Sequence, residues 1–440
     1  MTNKNMDIFQ KITNNILTEG LRKDLNQRNQ NKKNEILNVY ACESLNKSVL
    51  LDDISSEEKD SFNLKCELRK YFKREAKYSE AIGDHPDFLY LKDTKKTENH
   101  HVVSVFVDIK GSTKLATMKG LSLQEVREIK NRILTTAISI FQVFDGHIHR
   151  LQGDAIFAFF GRKDKLMEES IIDALNATTI LQHIFKNVLS KLFKELELPT
   201  IDIRTGLDFG YDDDVLWSKY GIEHCNEVTT TSIHTDLAAK LQHKARSNQI
   251  MIGDNIKNVL ELPSEFYRIK TYVENKETKE DKYILDYKEM RYKMWEFDWE
   301  EYLKFFQQLP TNNLLPAKYL WQPYKDFEVI CKYETENGWK VYERNSTILN
   351  KGIKLSFEVN FYDLNLKYLC KNIVWEVNNR GEEAEKGENN NLVFKIPNKD
   401  GNIFECFQGT AYKGHHYMNA KIIGDSGRVY GEDNLGIFIK

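Results

Sequence analysis

The stretch VSVFVDIKGSTKLA, residues 103–116, decides how the chain reads. Its β-branched and aromatic run predicts a buried strand over 102–107. That strand ends in a carboxylate, Asp108, and runs at once into a turn of small residues, Gly111, Ser112 and Thr113. Two readings fit those residues taken alone. An aspartate before a small-residue turn is commonly a local cap or Asx-turn. It is also how a strand delivers a metal ligand while the turn after it lets backbone N–H groups approach phosphate oxygens.

The elements around the stretch bear on the choice. A helix near 123–144 carries Val126, Ile129, Ile133, Ala137, Ile140 and Phe144 on one face. Next comes GHIHRLQGDAIFAFFG, 146–161, two apolar runs flanking a Gln-Gly-Asp corner, which predicts a β-hairpin with Asp154 at its tip. A helix near 168–195, a strand at 201–208, a helix near 234–246 and a strand at 249–252 follow. The charged ENKETKEDK is expected to turn FYRIKTYV back onto YILDY as a final hairpin. Alternating strand and helix signals favour an α/β or α+β domain over a bundle. If the hairpin lies beside the first strand, Asp108 and Asp154, 46 residues apart, converge on one edge of the sheet. Convergent carboxylates repel unless a cation sits between them. Paired hard oxygen ligands suit Mg2+ or Mn2+ shared with substrate phosphates.

The 440 residues exceed what one core usually serves, so two or three domains are expected. The divisions fall at 1–95, helical, with Leu64, Leu68, Tyr71, Phe72 and Ala76 at helical spacing; 101–290, the strand–helix domain; 291–324, a linker interrupted by Pro310, Pro316 and Pro323; and 325–440, a β-rich module. In that module His415 and His416, with no cysteine or carboxylate at ligand spacing, read as core or turn positions ahead of metal or ligand positions, and Trp375 reads as core. A net charge of −3 with both signs abundant provides no broad attraction to nucleic acid or acidic membranes, and neither partner is expected. The six cysteines, at 42, 66, 225, 331, 370 and 406, form no C-x-x-C pair and read as reduced, mostly packed thiols. With no apolar leader-like segment and no run of about 18 apolar residues, a soluble cytoplasmic protein is expected. The chain contains no G-x-x-x-x-G-K-[ST] and no G-x-G-x-x-G, so P-loop and dinucleotide-binding readings lack support.

In order and spacing, FVDIKGST, GHIHRLQGDAIFAFFG, IDIRTGLDFG, TDLAAKL and SNQIMIGD resemble the catalytic domain of class III nucleotidyl cyclases. The resemblance implies an α+β fold with a ferredoxin-like antiparallel sheet. It implies that Asp108, Ile109 and Asp154 hold two divalent cations, Mn2+ or Mg2+, and that Gly111, Ser112 and Thr113 cradle phosphates. It further implies in-line attack of a ribose 3′-OH on the α-phosphorus, with loss of pyrophosphate. Where the family places a ribose-binding asparagine and a phosphate-binding arginine, this chain has Asp236 and Lys240. Lysine still neutralises phosphate as a point charge; the plain alternative is a surface i,i+4 pair worth ~0.2–0.5 kcal/mol. Arg246 is a second cationic candidate, or a solvated surface residue.

The two base-reading positions of the family fall on Arg150 and Thr229. Arginine offers only donors, which excludes the glutamate-to-guanine contact of guanylate-type members and suits uracil O2/O4 or cytosine O2/N3, with adenine N1 still open. VWEVNNRGEEAEK, FECFQGTAYKGHHYMNAKII and GRVYGEDNLGIFI resemble the AGS-C-like C-terminal sensor domain of some bacterial cyclases and defence nucleotidyltransferases. A cyclase domain joined to that module is similar to the pyrimidine cyclases of bacterial Pycsar antiphage systems. The implied protein is a homodimer converting UTP or CTP to 3′,5′-cyclic UMP or CMP, which acts on a separate cyclic-nucleotide-gated effector. Two other readings stay open: an adenylate cyclase making cyclic AMP, and a non-catalytic nucleotide-binding sensor.

Overall fold

The structure is a computed structural model, and it describes Arg69, Phe72, Arg74 and residues 81–287, 289–306, 326–387, 391–397 and 405–440. Most of the helical region expected over 1–95, with Leu64, Leu68, Tyr71 and Ala76, lies outside the described residues, as do Pro310, Pro316, Pro323, Cys42 and Cys66. What is described there docks on the following domain. Arg69 pairs with Asp145 at 3.0 Å, and the Phe72 ring lies 5.1 Å from that of Phe144. Pro86–Leu91 is a 3-10 turn with Phe88 and Leu91 buried.

The strand of the opening stretch is β1, Val102–Lys110. Val103, Val105, Val107 and Ile109 are buried on one face, while Ser104, Phe106 and Asp108 share the other, as the two-residue period of a strand requires. A short helix α1, Ser112–Ala116, leads to α2, Leu123–Val143. A capping box opens α2: the Glu125 N–H donates to Ser122 Oγ at 3.3 Å and the Ser122 N–H to Glu125 Oε2 at 2.8 Å. The hairpin strands are β2, His147–Gln152, and β3, Ala155–Phe160. Helix α3, Met167–His183, passes through a π-turn into α4, Ser190–Glu195.

Strand β4, Asp202–Gly210, is followed by an arm of two strands, β5, Leu216–Ile222, and β6, Cys225–Thr231. Then come α5, Ile233–Lys244; β7, Gln249–Gly253; and α6, Asp254–Val259. Strands β8, Tyr267–Glu274, β9, Glu277–Asp281, β10, Tyr283–Tyr287, and β11, Met290–Phe297, complete the domain. The main sheet runs β9-β8-β11-β7-β4-β1-β3-β2, with β10 added to β11. Its β4-β1-β3-β2 portion is antiparallel throughout and carries the ferredoxin-like order expected. Burying the odd face of β1 against α2 and α3 builds the larger core, each fully buried aliphatic or aromatic side chain contributing about 1.5–3 kcal/mol.

Two expectations need correction, and one element went unread. ENKETKEDK is not only a turn: β9 lies within it and folds back on β8, so YILDY pairs with β11 instead. The segment 291–324 opens as strand β11, inserted between β7 and β8, and as helix α7, Trp299–Phe306, both belonging to the folded body. Their apolar residues Tyr302, Leu303 and Phe305 are buried, which a mobile connector would not allow. The β5–β6 arm was not foreseen, because LWSKYGI and the threonine-rich CNEVTTT carry weak hydrophobic alternation.

The C-terminal module packs two sheets. Strands β12, Phe327–Thr335, β13, Gly338–Tyr342, β15, Lys354–Phe361, and β18, Cys406–Gly409, form one, ordered β13-β12-β15-β18. The other contains β14, Ile348–Leu349, β16, Asn372–Asn378, β17, Asn391–Pro397, β19, Gly414–Ile423, and β20, Val429–Ile439, ordered β14-β20-β19-β16-β17. Trp375, His415 and His416 are buried. Cys331, Cys370 and Cys406 are buried and Cys225 is exposed. Buried polar bonds join the module to the strand–helix domain. Tyr302 donates to Asn176 Oδ1 at 2.7 Å, and Asn176 Nδ2 donates to the Asn345 carbonyl at 2.8 Å. Among the described residues no helix is long and apolar enough to cross a membrane.

Candidate active site

Antiparallel pairing places the two aspartates together. Asp108 is the register partner of Ala155, the residue that follows Asp154, so both carboxylates stand at the same end of neighbouring strands. Gly153, at φ 67°, makes the corner that sets Asp154 there. Ser112 Oγ donates to Asp154 Oδ2, which ties the hairpin tip to the turn after β1. Gly111 has φ 97°, and a Cβ on it would come within 2.7 Å of the Thr200 carbonyl, so only glycine lets the chain pass there. Ile109, whose side chain is buried, offers this site nothing but its backbone carbonyl.

A third charge completes the group. Asp108 is also the register partner of Arg204 on β4, and the Arg204 Nε donates to Asp108 Oδ2 at 3.1 Å with a second bond from Nη2. Both side chains are about one-quarter exposed, so the pair faces a partly open surface. The same sheet face carries Phe106 and Phe157, half-buried and stacked with centroids 4.2 Å apart.

Helix α5 lies across this face. Gly206 lets it approach, since any Cβ there would overlap the backbone of Ala238 and Gln242. Thr235 Oγ1 bonds Ser104 Oγ and Thr230 Oγ1, each at 2.9 Å. Below its first turn, Asp208 is wholly buried; Tyr292 donates to Oδ1 at 2.7 Å, the Phe209 N–H donates to the same oxygen at 2.9 Å, and the His234 ring meets Oδ2 at 2.9 Å. Burial pushes the Asp208 carboxyl up, against the pull of His234 and those hydrogen bonds. So held, α5 presents Asp236 and Lys240 to solvent, and among the described residues they form no ion pair with each other. The surface i,i+4 reading therefore finds no bond behind it. Arg246 is exposed and its guanidinium is taken by the Thr271 carbonyl on β8, which makes it a tie between elements.

Arg150 and Thr229 are brought together through a residue the sequence did not single out. Arg150 is the register partner of Phe157, so it shares the face of Phe106 and Asp108. Its Nε donates to Glu227 Oε2 at 3.0 Å and Nη2 pairs with Oε1. Glu227 and Thr229 flank the fully buried Val228 on β6 and therefore point to the opposite side from it.

The carboxylate pair fits a divalent cation. Two aspartates and one carbonyl, partly open to solvent, are the sparse oxygen set of ions that complete their shell with phosphates and water. Among the described residues, one cluster of three candidate ligands lies elsewhere: His100, His101 and Asp212, with ligating atoms within 4.8 Å of one another. It sits before β1, roughly 20 Å along the strand from Asp108 at ~3.3 Å per residue. There Asp212 accepts from the His101 N–H at 2.7 Å, a loop tie distinct from the paired aspartates.

Comparison with known proteins gives the family. Residues 297–440 match the Adenylyl/Guanylyl and SMODS C-terminal sensor domain. Over 377 residues the chain is 41% identical to a cytidylate cyclase of Staphylococcus aureus, covering 85% of this chain and 86% of that one. The chain belongs to the cytidylate cyclase family. Two further cytidylate cyclases, both of Escherichia coli, are 33% identical over 395 residues and 28% identical over 408, each covering 85% of this chain and 82% and 86% of theirs. The family match to the sensor domain begins at 297, within the stretch expected to be a linker, and so takes in α7. Arg204 and Glu227, which pair with Asp108 and Arg150, were not singled out in the sequence of this cytidylate cyclase family member. Each looks like an ordinary polar strand position until the sheet register is known.

Proposed function

We propose that the protein is a homodimeric cytidylate cyclase that converts CTP to 3′,5′-cyclic CMP and pyrophosphate. The observation that carries this reading is the meeting of Asp108 and Asp154 at one end of β1 and β3. The names of the three relatives support cytosine over uracil. Asp108, Asp154 and the Ile109 carbonyl would hold two divalent cations, Mn2+ or Mg2+. When bound, such ions neutralise the triphosphate and make the ribose 3′-OH a better nucleophile.

The chain's own groups do the rest. Ser112 orients Asp154, and Arg204 supplies positive charge beside Asp108. Backbone N–H groups at Gly111, Ser112 and Thr113 face the phosphates. In the dimer, Lys240 adds a point charge at the phosphates, Asp236 accepts from a ribose hydroxyl, and Arg150 and Thr229 meet the base, all from the second copy. The C-terminal module receives the signal, and the product serves antiphage defence by acting on a separate effector.

The test incubates purified protein with Mn2+ and each of the four nucleoside triphosphates, identifying products by mass. Cyclic CMP is the expected principal product. Cyclic AMP as sole product overturns the pyrimidine reading, and no product from any triphosphate overturns the catalytic one. Asp108→Asn is expected to lower turnover by at least ~100-fold and to weaken Mn2+ binding measured by calorimetry, with the thermal midpoint nearly unchanged.

A further inference from the structure

We propose that Glu227, clasped to Arg150 on the open face of the β5–β6 arm, is the residue that selects cytosine over uracil. The inference rests on the reading of the protein as a cyclase of pyrimidine triphosphates. It is the pairing in this structure that brings Glu227 to the base-reading residues.

The geometry is a two-point fork. Arg150 Nε donates to Glu227 Oε2 at 3.0 Å, and Nη2 pairs with Oε1. The two side chains stay 50% and 36% exposed, so the fork is open to a ligand. Arg150 keeps unused N–H groups on Nη1, and both Glu227 oxygens keep lone pairs. Thr229 stands two residues along β6 on the same side, away from the buried Val228.

The arm is anchored where it carries the fork. The Val228 N–H donates to Asp84 Oδ1 at 2.7 Å, and Asp84 is itself held by Lys92 Nζ at 2.6 Å. His149 Nε2 lies 4.0 Å from Glu227 Oε2, but burial pulls the His149 ring down to about 4. Near neutral pH the carboxylate therefore has Arg150 as its cationic neighbour. An exposed pair of this kind contributes little to folding, so its fixed placement is better suited to reading a ligand.

The fork offers donors and acceptors side by side. Cytosine presents an amino donor at N4 and acceptors at N3 and O2. Arg150 donates to N3 or O2, and Glu227 accepts from the N4 amino group, the pairing a carboxylate makes with cytosine in nucleic-acid recognition. Uracil presents O4 where cytosine has its amino group. That would set an oxygen acceptor against a carboxylate with no hydrogen between them, a mismatch that hydrogen-bonding sites reject strongly.

The experiment measures kcat/KM for CTP and for UTP on full-length wild type, Glu227→Gln and Glu227→Asp, with Mn2+ and product identification by mass. Glu227→Gln is expected to lower the CTP-to-UTP preference by ~10- to 100-fold, because an amide can turn its N–H towards O4. Glu227→Asp keeps the charge and is expected to keep the direction of the preference. A Glu227→Gln enzyme that slows equally on both substrates, leaving the ratio unchanged, overturns the proposal and leaves Glu227 as a support for the arm. If Glu227→Gln does not fold, Glu227→Ala is measured in its place, and an unchanged CTP-to-UTP ratio in that enzyme overturns the proposal. Wild-type protein that makes no cyclic pyrimidine nucleotide overturns the underlying reading instead, a distinguishable result.

Discussion

Asp108 and Arg204 face each other across β1 and β4, so the metal-ligand candidate already has a cation beside it. The guanidinium tempers the repulsion between Asp108 and Asp154, and a divalent ion entering the site must share Asp108 with it. Arg204→Met should therefore bind Mn2+ more tightly, by up to roughly fivefold, the equivalent of the ~0.2–1 kcal/mol typical of partly exposed pairs. Turnover should nevertheless fall, by at least about tenfold, because the positive charge aimed at the phosphates is gone. Calorimetric Mn2+ titration with steady-state rates checks both; weaker Mn2+ binding together with unchanged turnover would remove Arg204 from the site. At this scale Asp108 and Asp154 were legible in the sequence, since each sits at a turn whose small residues announce it. Arg204 was not, because an arginine inside IDIRTG has the look of a solvated strand position until antiparallel register sets it opposite Asp108.

At the scale of elements, α5 is positioned by what the strand beneath it lacks. Gly206 leaves no side chain under Ala238 and Gln242, and the helix settles against β4. Gly206→Ala should lift α5, at a stability loss of about 1–3 kcal/mol for the overpacked contact. Because Asp236 and Lys240 ride on that helix, turnover should fall more than substrate affinity. Urea unfolding and a kcat-against-KM comparison test this, and a Gly206→Ala enzyme with wild-type kcat would show that helix placement does not matter to the reaction. Most elements of the catalytic body were readable from periodicity: α2, the β2–β3 hairpin, α3 and β4 lie close to where their apolar spacing puts them. Pairing was less readable. ENKETKEDK carries turn residues, yet β8 supplies an edge against which its charged side chains can extend into solvent, so it forms a strand.

At the scale of the molecule, a cation set among aromatic rings adds to the contacts that hold the C-terminal module on the catalytic body. Arg380 Cζ lies 4.9 Å from the ring centroid of Phe266 and 4.8 Å from those of Phe305 and Tyr417. The Arg380 N–H donates to His416 Nδ1 at 3.0 Å, while His416 Nε2–H donates to the Tyr412 carbonyl at 2.8 Å. Both ring nitrogens are thus engaged by a neutral imidazole. Burial first of all pulls the His416 pKa down to about 4, and His415 shifts in the same direction. The unfolded chain takes up the His416 proton near pH 6.5 and the folded chain only near 4. Stability is therefore complete above about pH 6.5 and is lost as pH falls from there towards 4, by about 3 kcal/mol for His416 alone. His416→Gln should flatten the difference between urea midpoints at pH 7.5 and 4.5. An unchanged difference would mean that His416 does not carry this dependence.

Taken by itself, the sequence determined which groups the protein has to work with and which segments they ride on: two acids at turns, a cationic helix position, and apolar spacings that place strands and helices. These are local properties, written within a few residues of one another. Tertiary structure alone decided which charges meet. Arg204 reaches Asp108, Glu227 reaches Arg150, and β11 with α7 joins the folded body. Such partners are set by strand register and by the crossing of distant elements, where free energy comes from burying whole faces at once and leaves little trace in any short stretch of chain.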